Sequence, residues 1–277
     1  MSELSDQASK LDVAVEILCL DDASDEHFKK INSEISRFQA VNYVHAEQNI
    51  GRSAIRNELA RMAQFEHLLF LDCDGKCVSN DYLLNYQKAW NTYDVIYAGR
   101  VYNEEAPDDH DLYFHWYCGS IREAILVENR RLAPFKSFMT NNFLIRKAVY
   151  DAIKMDESVV GYGHEDTLFA QEVKRNGFRI SHIENPIEHI GLEPFDVFLD
   201  KSKNGVRNLK QLMDANKVDD SIKLVRYYHT MKRFGFLGLL SFFVSKFEGQ
   251  IMKNLQGPAP NLVWFDLWKL SLLHQMR

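Results

Sequence analysis

The sequence lacks long apolar runs and clusters of basic residues. None of its 277 residues lies in a stretch of about 18 uninterrupted apolar residues, the length that a membrane-spanning helix needs. Residues 1–10 lack the basic start and apolar run of a secretory signal. The net charge is -6 and the basic residues are scattered, so we expect no nucleic-acid partner. These absences predict a cytoplasmic protein that is soluble or lies on the inner face of the membrane.

Cysteine is scarce, and its spacing fits neither a disulfide framework nor a zinc site. The four cysteines are Cys19, Cys73, Cys77 and Cys118. No second Cys or His pair follows Cys73 and Cys77 at ligand spacing. We therefore predict free thiols that serve as small buried apolar side chains in a reducing compartment.

The residues that are present predict an α/β fold. Hydrophobic residues make up 46% and charged residues 26%, an ordinary globular balance. Apolar, strand-like runs alternate with helical patterns, which favours a mostly parallel sheet with helices on both faces. The predicted strands are 13–20, 41–45, 67–71, 95–101, 138–146, 178–183 and 187–190. The predicted helices between them are 24–38, 52–64, 81–90, 147–154 and 166–176.

Two segments depart from this alternation. Residues 103–134 are acidic and aromatic without clean periodicity, and we interpret them as an insertion or mobile loop. Beyond Pro194 the pattern predicts helix after helix, over 195–216, 221–234, 237–254 and 262–275. The sequence thus predicts a catalytic domain over 1–194 and a C-terminal helical extension over 195–277.

Acidic residues follow two of the predicted strands. Asp21 and Asp22 close the first strand, and Asp72 and Asp74 close the third. Ligands of parallel sheets bind beyond the carboxyl ends of the strands, so we expect both pairs to face one crevice. Asp72 and Asp74 can point into one pocket while Cys73 turns back to the core. Hard divalent cations prefer such carboxylates together with phosphate oxygens.

Each motif taken alone also has a structural interpretation. Residues 21–24 fit a helix cap, 49–51 fit a turn, and 161–166 fit a loop whose acidic end is favoured by a helix dipole. Their joint occurrence at strand ends, in one order, favours a shared site.

Five motifs carry a resemblance to a known family. They are Asp21-Asp22-Ala23-Ser24, Asn49-Ile50-Gly51-Arg52 with Arg56-Asn57, Asp72-Cys73-Asp74, Thr140-Asn141-Asn142, and Gly161-Tyr162-Gly163-His164-Glu165-Asp166. In this order they resemble family 2 glycosyltransferases with the GT-A fold, over about residues 13–191. The resemblance is closest to bacterial members that build surface polysaccharides.

The resemblance implies a role for each group of residues. Asp22 would accept a hydrogen bond from the nucleotide base, taken as uracil. The implied nucleotide-binding residues are Asp22, Asn49, Arg52, Arg56 and Asp72. The implied ligands of manganese or magnesium are Asp72, Asp74 and His189. The implied contacts to the donor or acceptor sugar are Asn141, Asn142 and Gly163.

Catalysis is assigned to the acidic pair that opens a helix. By the resemblance, Asp166 is the general base that takes the proton of the acceptor hydroxyl, and Glu165 orients the acceptor or the donor sugar. A base near both a cation and a second carboxylate experiences opposing pKa shifts, which can leave it ionised but still basic. His189 as a third metal ligand competes with an ordinary structural role for a histidine on a terminal strand.

The expected activity is that of a hexosyltransferase. It would move a sugar from a nucleotide diphosphate, taken as UDP, to a hydroxyl of a glycan or lipid-linked acceptor, with inversion. The family's opening apolar strand has no counterpart here, because the sequence starts in what resembles the helix that follows it. We expect the chain as written to have poor stability or weak donor binding.

The apolar tail over 234–247 allows two interpretations. Lys232, Arg233 and Lys246 flank it, which suits a helix lying in a membrane interface beside anionic lipid. Alternatively, these residues are buried against the catalytic core or against a second copy in a homo-oligomer.

Two other classes of function stay open at the level of sequence. A nucleotidyltransferase also places paired aspartates around a metal, but it needs a glycine-rich basic loop near the first strand, and none is visible. An inactive sugar-binding or complex-forming paralogue is favoured by the missing strand and disfavoured by the intact Asp74 and Asp166.

Overall fold

The computed structural model describes residues 1–159 and 161–276. The strands are β1 (Ile17–Asp21), β2 (Val41–His45), β3 (His67–Leu71), β4 (Gly75–Cys77), β5 (Val95–Tyr97), β6 (Arg100–Val101), β7 (Asn142–Arg146), β8 (Ile180–His182) and β9 (Ile187–His189). The helices of the first half are α1 (Ser2–Ala8), α2 (Glu26–Ser33), α3 (Arg52–Met62), α4 (Tyr82–Ala89), α5 (Tyr113–Arg122) and α6 (Val127–Leu132). The later helices are α7 (Lys147–Ile153), α8 (Glu165–Arg175), α9 (Phe195–Asp214), α10 (Lys223–Arg233), α11 (Leu237–Lys246), α12 (Glu248–Leu255) and α13 (Leu262–Gln275).

The chain forms two compact units. The first unit consists of Met1–Arg100, Leu126–Gly161 and Glu165–Glu188. The second unit consists of Val101–Ile125, Tyr162–His164 and His189–Arg277. The main change of unit therefore comes at residue 189, near the predicted boundary at 194, but two earlier segments also belong to the second unit.

The main sheet of the first unit is mixed. Its strand order is β3-β7-β5-β8, with β7 antiparallel to both β3 and β5, and β5 parallel to β8. The predicted α/β class is confirmed, but this sheet is mixed and not mostly parallel. Continuous apolar runs show that a strand is buried on both faces, but they carry no information on its direction. The other sheets are a parallel β1-β2 pair and a short sheet with the order β4-β9-β6.

Helices enclose the core of this unit. Large apolar side chains from β3, β5 and β7, such as Phe70, Tyr97 and Phe143, pack with Tyr150 of α7 and Phe169 of α8. The rings of Phe70 and Phe143 stack with their centroids 4.9 Å apart. A second cluster joins Tyr82 and Tyr86 of α4 to Ile96 and Leu144. The two clusters lie on opposite faces of the sheet, because successive residues of a strand point to opposite faces.

The second unit is helical and has its own core. Phe114 of α5 and Phe195 of α9 pack with Val244, Phe265 and Trp268 from the C-terminal helices. The helical pattern predicted after residue 194 is present as α9 to α13. No helix in residues 1–159 and 161–276 is both long and apolar enough to cross a membrane.

Two predictions of secondary structure are corrected. Residues 103–134 are not a structureless insertion, because they contain α5, α6 and a 3-10 turn at His110–Leu112. The apolar residues of α5 face a core built mostly from the distant C-terminal helices, so local periodicity did not reveal it. The single helix predicted over 237–254 is two helices, α11 and α12, separated at Phe247.

Candidate active site

The start of α3 is fixed by Asp22. The Asp22 carboxylate accepts hydrogen bonds from the amides of Ile50 at 2.7 Å and Gly51 at 2.9 Å. The Asn49 side chain donates to the Asp22 carbonyl at 3.0 Å. An acidic group at a helix N-terminus satisfies open amides and is favoured by the helix dipole. Two predicted nucleotide-binding residues, Asp22 and Asn49, are thus brought together, and Asp22 orders the segment that leads into α3.

Helix α3 carries two arginines to the end of β3. Arg56 Nη2 lies 2.6 Å from Asp72 Oδ1, and Arg52 Nη2 lies 4.0 Å from Asp72 Oδ2. A third guanidinium, that of Arg100 at the start of β6, lies 3.9 Å from Asp72 Oδ2. The Asp72 side chain is 18% exposed, so these charges meet in a partly desolvated place where electrostatic interactions are strengthened. Three predicted nucleotide-binding residues therefore form one cluster.

The acidic pair at the start of α8 joins the same cluster. Arg52 Nε lies 3.3 Å from Glu165 Oε1, so Arg52 reaches both Glu165 and Asp72. The neighbouring Asp166 accepts a hydrogen bond from the hydroxyl of Thr140. Both carboxylates lie in the first helical turn, where the helix dipole favours negative charge. Arg52 thus joins Asp72 to Glu165, and the next residue, Asp166, is joined to Thr140.

The two carboxylates of the pair have different environments. Burial raises the pKa of Glu165, and the negative charge of Asp166 raises it further, while Arg52 opposes both effects. Glu165 is 8% exposed, whereas Asp166 is half-buried and receives the Thr140 hydroxyl. The two carboxylates therefore differ in burial and in their polar partners.

Asn141 has a buried side chain whose hydrogen-bonding groups are unused. It is 3% exposed, and neither its amide nitrogen nor its amide oxygen has a hydrogen-bond partner in the part of the chain that the structure describes. Its carbonyl accepts a hydrogen bond from the Asp72 amide at 3.0 Å, which fixes it beside the acidic cluster. A buried unsatisfied polar group costs about 1–3 kcal/mol, so this amide is suited to binding a polar ligand.

The adjacent Asn142 is used by the fold. Its side chain is fully buried and contacts the hydroxyls of Tyr82 at 2.5 Å and Tyr86 at 2.7 Å. It also donates to the carbonyls of Gly99 at 2.8 Å and Asn185 at 3.2 Å. Because the Asn142 side chain is fully buried and its amide oxygen and nitrogen are both hydrogen-bonded, it connects β7 to α4. We therefore propose a structural role for it in place of the predicted sugar contact.

Asp72 and Asp74 have the chemistry of ligands for a hard divalent cation. Both are half-buried carboxylates at the end of β3. Within residues 1–159 and 161–276, no three or more His, Cys, Asp or Glu side chains are grouped to hold a metal ion. Magnesium-type sites commonly use one or two carboxylates plus substrate phosphates, and the Asp72 and Asp74 pair fits that type.

Two predicted site residues belong to the second unit. The His189 ring there contacts the rings of Tyr102 and His115, with centroids 5.4 and 5.3 Å away. Gly163 has φ +103°, and a Cβ placed on it would lie 2.8 Å from the Cα of Gly205 in α9. Gly163 is thus a close-packing position within that unit. The roles of His189 as a metal ligand and of Gly163 as a sugar contact stay predictions.

The sequence does not predict the contacts of two residues, Arg100 and Thr140, and it predicts the wrong exposure for Cys73. Arg100 was not identified, because a single arginine after a short strand forms no motif. Thr140 lay in a recognised motif but was given no role of its own. Cys73 was expected to turn to the core but is exposed. Cys77 and Cys118 are buried as expected.

The chain is similar to known proteins in both sequence and structure. The sequence profile described as Glycosyl transferase family 2 matches residues 4–153, more than half of the chain. No curated protein matches the chain significantly. The structure is similar to that of the mannosyltransferase PcManGT from Pyrobaculum calidifontis in complex with GDP-Man and Mn2+, with 16% identity and a TM-score of 0.53. That similarity covers 77% of this chain and 59% of PcManGT, so the chain spans less than two thirds of that relative.

Two further structures have lower TM-scores. GalNAc-T7 with UDP, GalNAc and Mn2+ is 18% identical with a TM-score of 0.49, covering 70% of this chain and 41% of that one. TarS 1-349 from S. aureus is 15% identical with a TM-score of 0.47, covering 99% of this chain and 86% of that one. The profile match establishes the family, and the similarity to PcManGT agrees with it at the level of fold. The chain belongs to glycosyl transferase family 2 and has a GT-A-like α/β fold.

Proposed function

We propose that the chain transfers a sugar from a nucleotide diphosphate donor to an acceptor hydroxyl, with inversion at the anomeric carbon. The observation that carries the proposal is the polar cluster of the first unit, which joins Asp72 to Arg52, Arg56 and Glu165 at the end of β3. Family membership agrees with this activity. We take the acceptor to be a glycan or lipid-linked hydroxyl and the donor to be a UDP-sugar, with a GDP-sugar as the other donor to test.

The base in this proposal is Asp166. It takes the proton of the acceptor hydroxyl while that oxygen forms a bond to the anomeric carbon. The bond from this carbon to the phosphate oxygen breaks, and the nucleoside diphosphate leaves with the electron pair. Burial and the charge of Asp166 raise the pKa of the neighbouring Glu165, to which we assign the orientation of the substrate. The hydroxyl of Thr140 keeps the Asp166 carboxylate in position.

The arginines of α3 hold the leaving group in this proposal. Arg52 and Arg56 form fixed hydrogen-bond donors beside Asp72, and guanidinium groups bind phosphate oxygens with matched geometry. Arg100 adds a third positive charge at the same carboxylate. A preorganised positive environment stabilises the diphosphate more as its negative charge grows during bond cleavage.

A divalent cation would be held by Asp72 and Asp74. When bound, manganese or magnesium screens the charge of the diphosphate. The buried amide of Asn141 would then offer a donor and an acceptor to the sugar hydroxyls next to this position.

The experiment is a donor turnover assay with purified protein. Release of nucleoside diphosphate is followed with UDP- and GDP-sugars in the presence of Mn2+ and after chelation with EDTA. We expect Asp166→Asn to lower kcat/KM by about 10²- to 10⁴-fold, the usual contribution of a general base. Asp74→Ala is expected to abolish the response to Mn2+.

The matched control is Asp151→Asn, which alters an exposed aspartate on α7 in the same unit. It is expected to leave turnover unchanged. Turnover that survives in Asp166→Asn at the unmodified rate, or that is indifferent to EDTA and to Asp74→Ala, would contradict the proposal.

A further inference from the structure

Helix α11 and its flanks expose a continuous set of large apolar side chains, here called the α11 patch. Its members and their exposed fractions are Phe234 65%, Phe236 54%, Leu239 56%, Phe242 62%, Phe243 49% and Phe247 43%. Half of a large side chain is about 100 Å², so the patch amounts to roughly 600 Å², the upper end of what soluble monomers expose. Exposed apolar surfaces of this size mark interaction sites.

The opposite face of α11 explains how the helix is held. Leu237, Ser241 and Val244 recur at helical spacing and are buried. The Ser241 hydroxyl lies 3.1 Å from that of Ser271 on α13. The helix is therefore already anchored to its own unit through one face. A helix that is apolar on all sides is normally buried on all sides, and α11 is buried on only one.

The charged residues of α10 and α11 are all basic. Residues 221–247 contain five basic residues and no acidic residue, in a chain of net charge -6. Lys232 and Arg233 precede the patch, and Lys246 lies near its end. All three are exposed, and none forms an ion pair with another residue that the structure describes. This concentration of positive charge is complementary to an anionic surface.

We propose that the α11 patch docks on an anionic lipid surface, with the apolar side chains in the interface and the basic residues on the headgroups. Amphipathic helices bind membranes through these two contributions, and each basic residue near the surface adds favourable energy. A second copy of the chain is a poorer occupant. A two-fold contact would place the same patch on both sides and bring Lys232, Arg233 and Lys246 near their equivalents.

The test is flotation of the full chain with vesicles of phosphatidylcholine, made with and without phosphatidylglycerol. We expect binding to the vesicles that contain phosphatidylglycerol, little binding to phosphatidylcholine alone, and weaker binding in high salt because salt screens the attraction. The proposed glycosyl transfer is not required for this result, since no donor or acceptor is present.

Two variants separate the apolar and the electrostatic contributions. Leu239→Ser with Phe242→Ser removes apolar surface, and Lys232→Glu with Arg233→Glu reverses charge. Each pair is expected to weaken binding about tenfold or more. The changed side chains are exposed, so we expect the thermal midpoint of unfolding to stay unchanged.

Matched controls come from the first unit. Leu126→Ser with Leu132→Ser removes two side chains that are 68% and 84% exposed, and Lys10→Glu with Lys88→Glu reverses two exposed charges. Neither pair should alter flotation beyond what the change in net charge causes. The proposal is overturned if the chain fails to float with anionic vesicles, or if the controls reduce binding as much as the patch variants. It is also overturned if sedimentation shows a dimer that only the patch variants dissociate.

Discussion

Asp72 is surrounded by more positive charge than one carboxylate can neutralise. Arg56 contacts it directly, and Arg52 and Arg100 lie at 4.0 and 3.9 Å. Burial and the charge of Asp166 raise the pKa of Glu165, the other partner of Arg52. In our proposal, these guanidinium groups attract the diphosphate, and Asp72 both positions the arginines and offers a metal ligand.

Asn141 provides a test at the scale of one residue. Asn141→Leu replaces a buried amide that has no partner with an apolar group of similar size. We expect the free energy of unfolding to stay the same or to rise by about 1 kcal/mol, because an unsatisfied group is removed. If the amide binds the sugar, kcat/KM for donor turnover should fall about tenfold or more.

The control for this change is Asn91→Leu, an exposed asparagine of the same unit. It should alter neither turnover nor unfolding. A variant at Asn141 that is as active as the unmodified chain would remove Asn141 from the donor site. Chemical denaturation and steady-state turnover are the two measurements.

The sequence located most members of the polar cluster, for an identifiable reason. Asp72, Glu165 and Asp166 lie at the ends of elements, where an acidic residue has a local signature. Arg100 has no such signature, since only tertiary packing brings it to Asp72. The two neighbours Asn141 and Asn142 look equivalent in sequence, and only the alternation of side chains along a strand separates the amide without a hydrogen-bond partner from the fully bonded one.

At the scale of elements, β7 is the strand that holds the first unit together. It pairs with β3 on one side and with β5 on the other. Its first residue, Asn142, is joined to Tyr82 and Tyr86 of α4. The position of Asn141, one residue before the strand, therefore depends on this buried polar connection.

The connection can be measured through stability. Asn142→Ala leaves the hydroxyls of Tyr82 and Tyr86 buried without their partner, and we expect it to lower the free energy of unfolding by about 3 kcal/mol or more. In a background of Tyr82→Phe with Tyr86→Phe, the same change should cost markedly less, because the hydroxyls are gone. Equal costs in both backgrounds, measured by chemical denaturation, would show that the hydroxyl contacts do not stabilise the strand.

Elements defined by strong local patterns were predicted well. The strands at Val41–His45 and His67–Leu71 have the predicted bounds, and α3 ends two residues before the predicted end. The antiparallel direction of β7 could not be predicted, because strand direction follows from pairing and leaves no trace in an apolar run. The helix α5 was missed because the partners that bury it lie more than seventy residues away in sequence.

At the scale of the whole molecule, the two units differ in architecture. The first unit contains the mixed sheet and the polar cluster, and the second contains helices with their own aromatic core. The family profile, which ends at residue 153, covers mainly the first unit. The α11 patch and the basic residues that flank it belong entirely to the second unit. Each unit thus carries one of the two proposals, and each can be tested without the other.

The central claim is that acidic and basic side chains from distant parts of the first unit form one site for a metal-bound nucleotide diphosphate. The most direct measurement is an anomalous difference map at the manganese edge, from crystals grown with Mn2+ and UDP or GDP. We predict a manganese peak at ligand distance from the Asp72 and Asp74 carboxylates, with the diphosphate contacting Arg52 or Arg56. A nucleotide and a manganese ion bound together at a place that involves none of these side chains would contradict the claim.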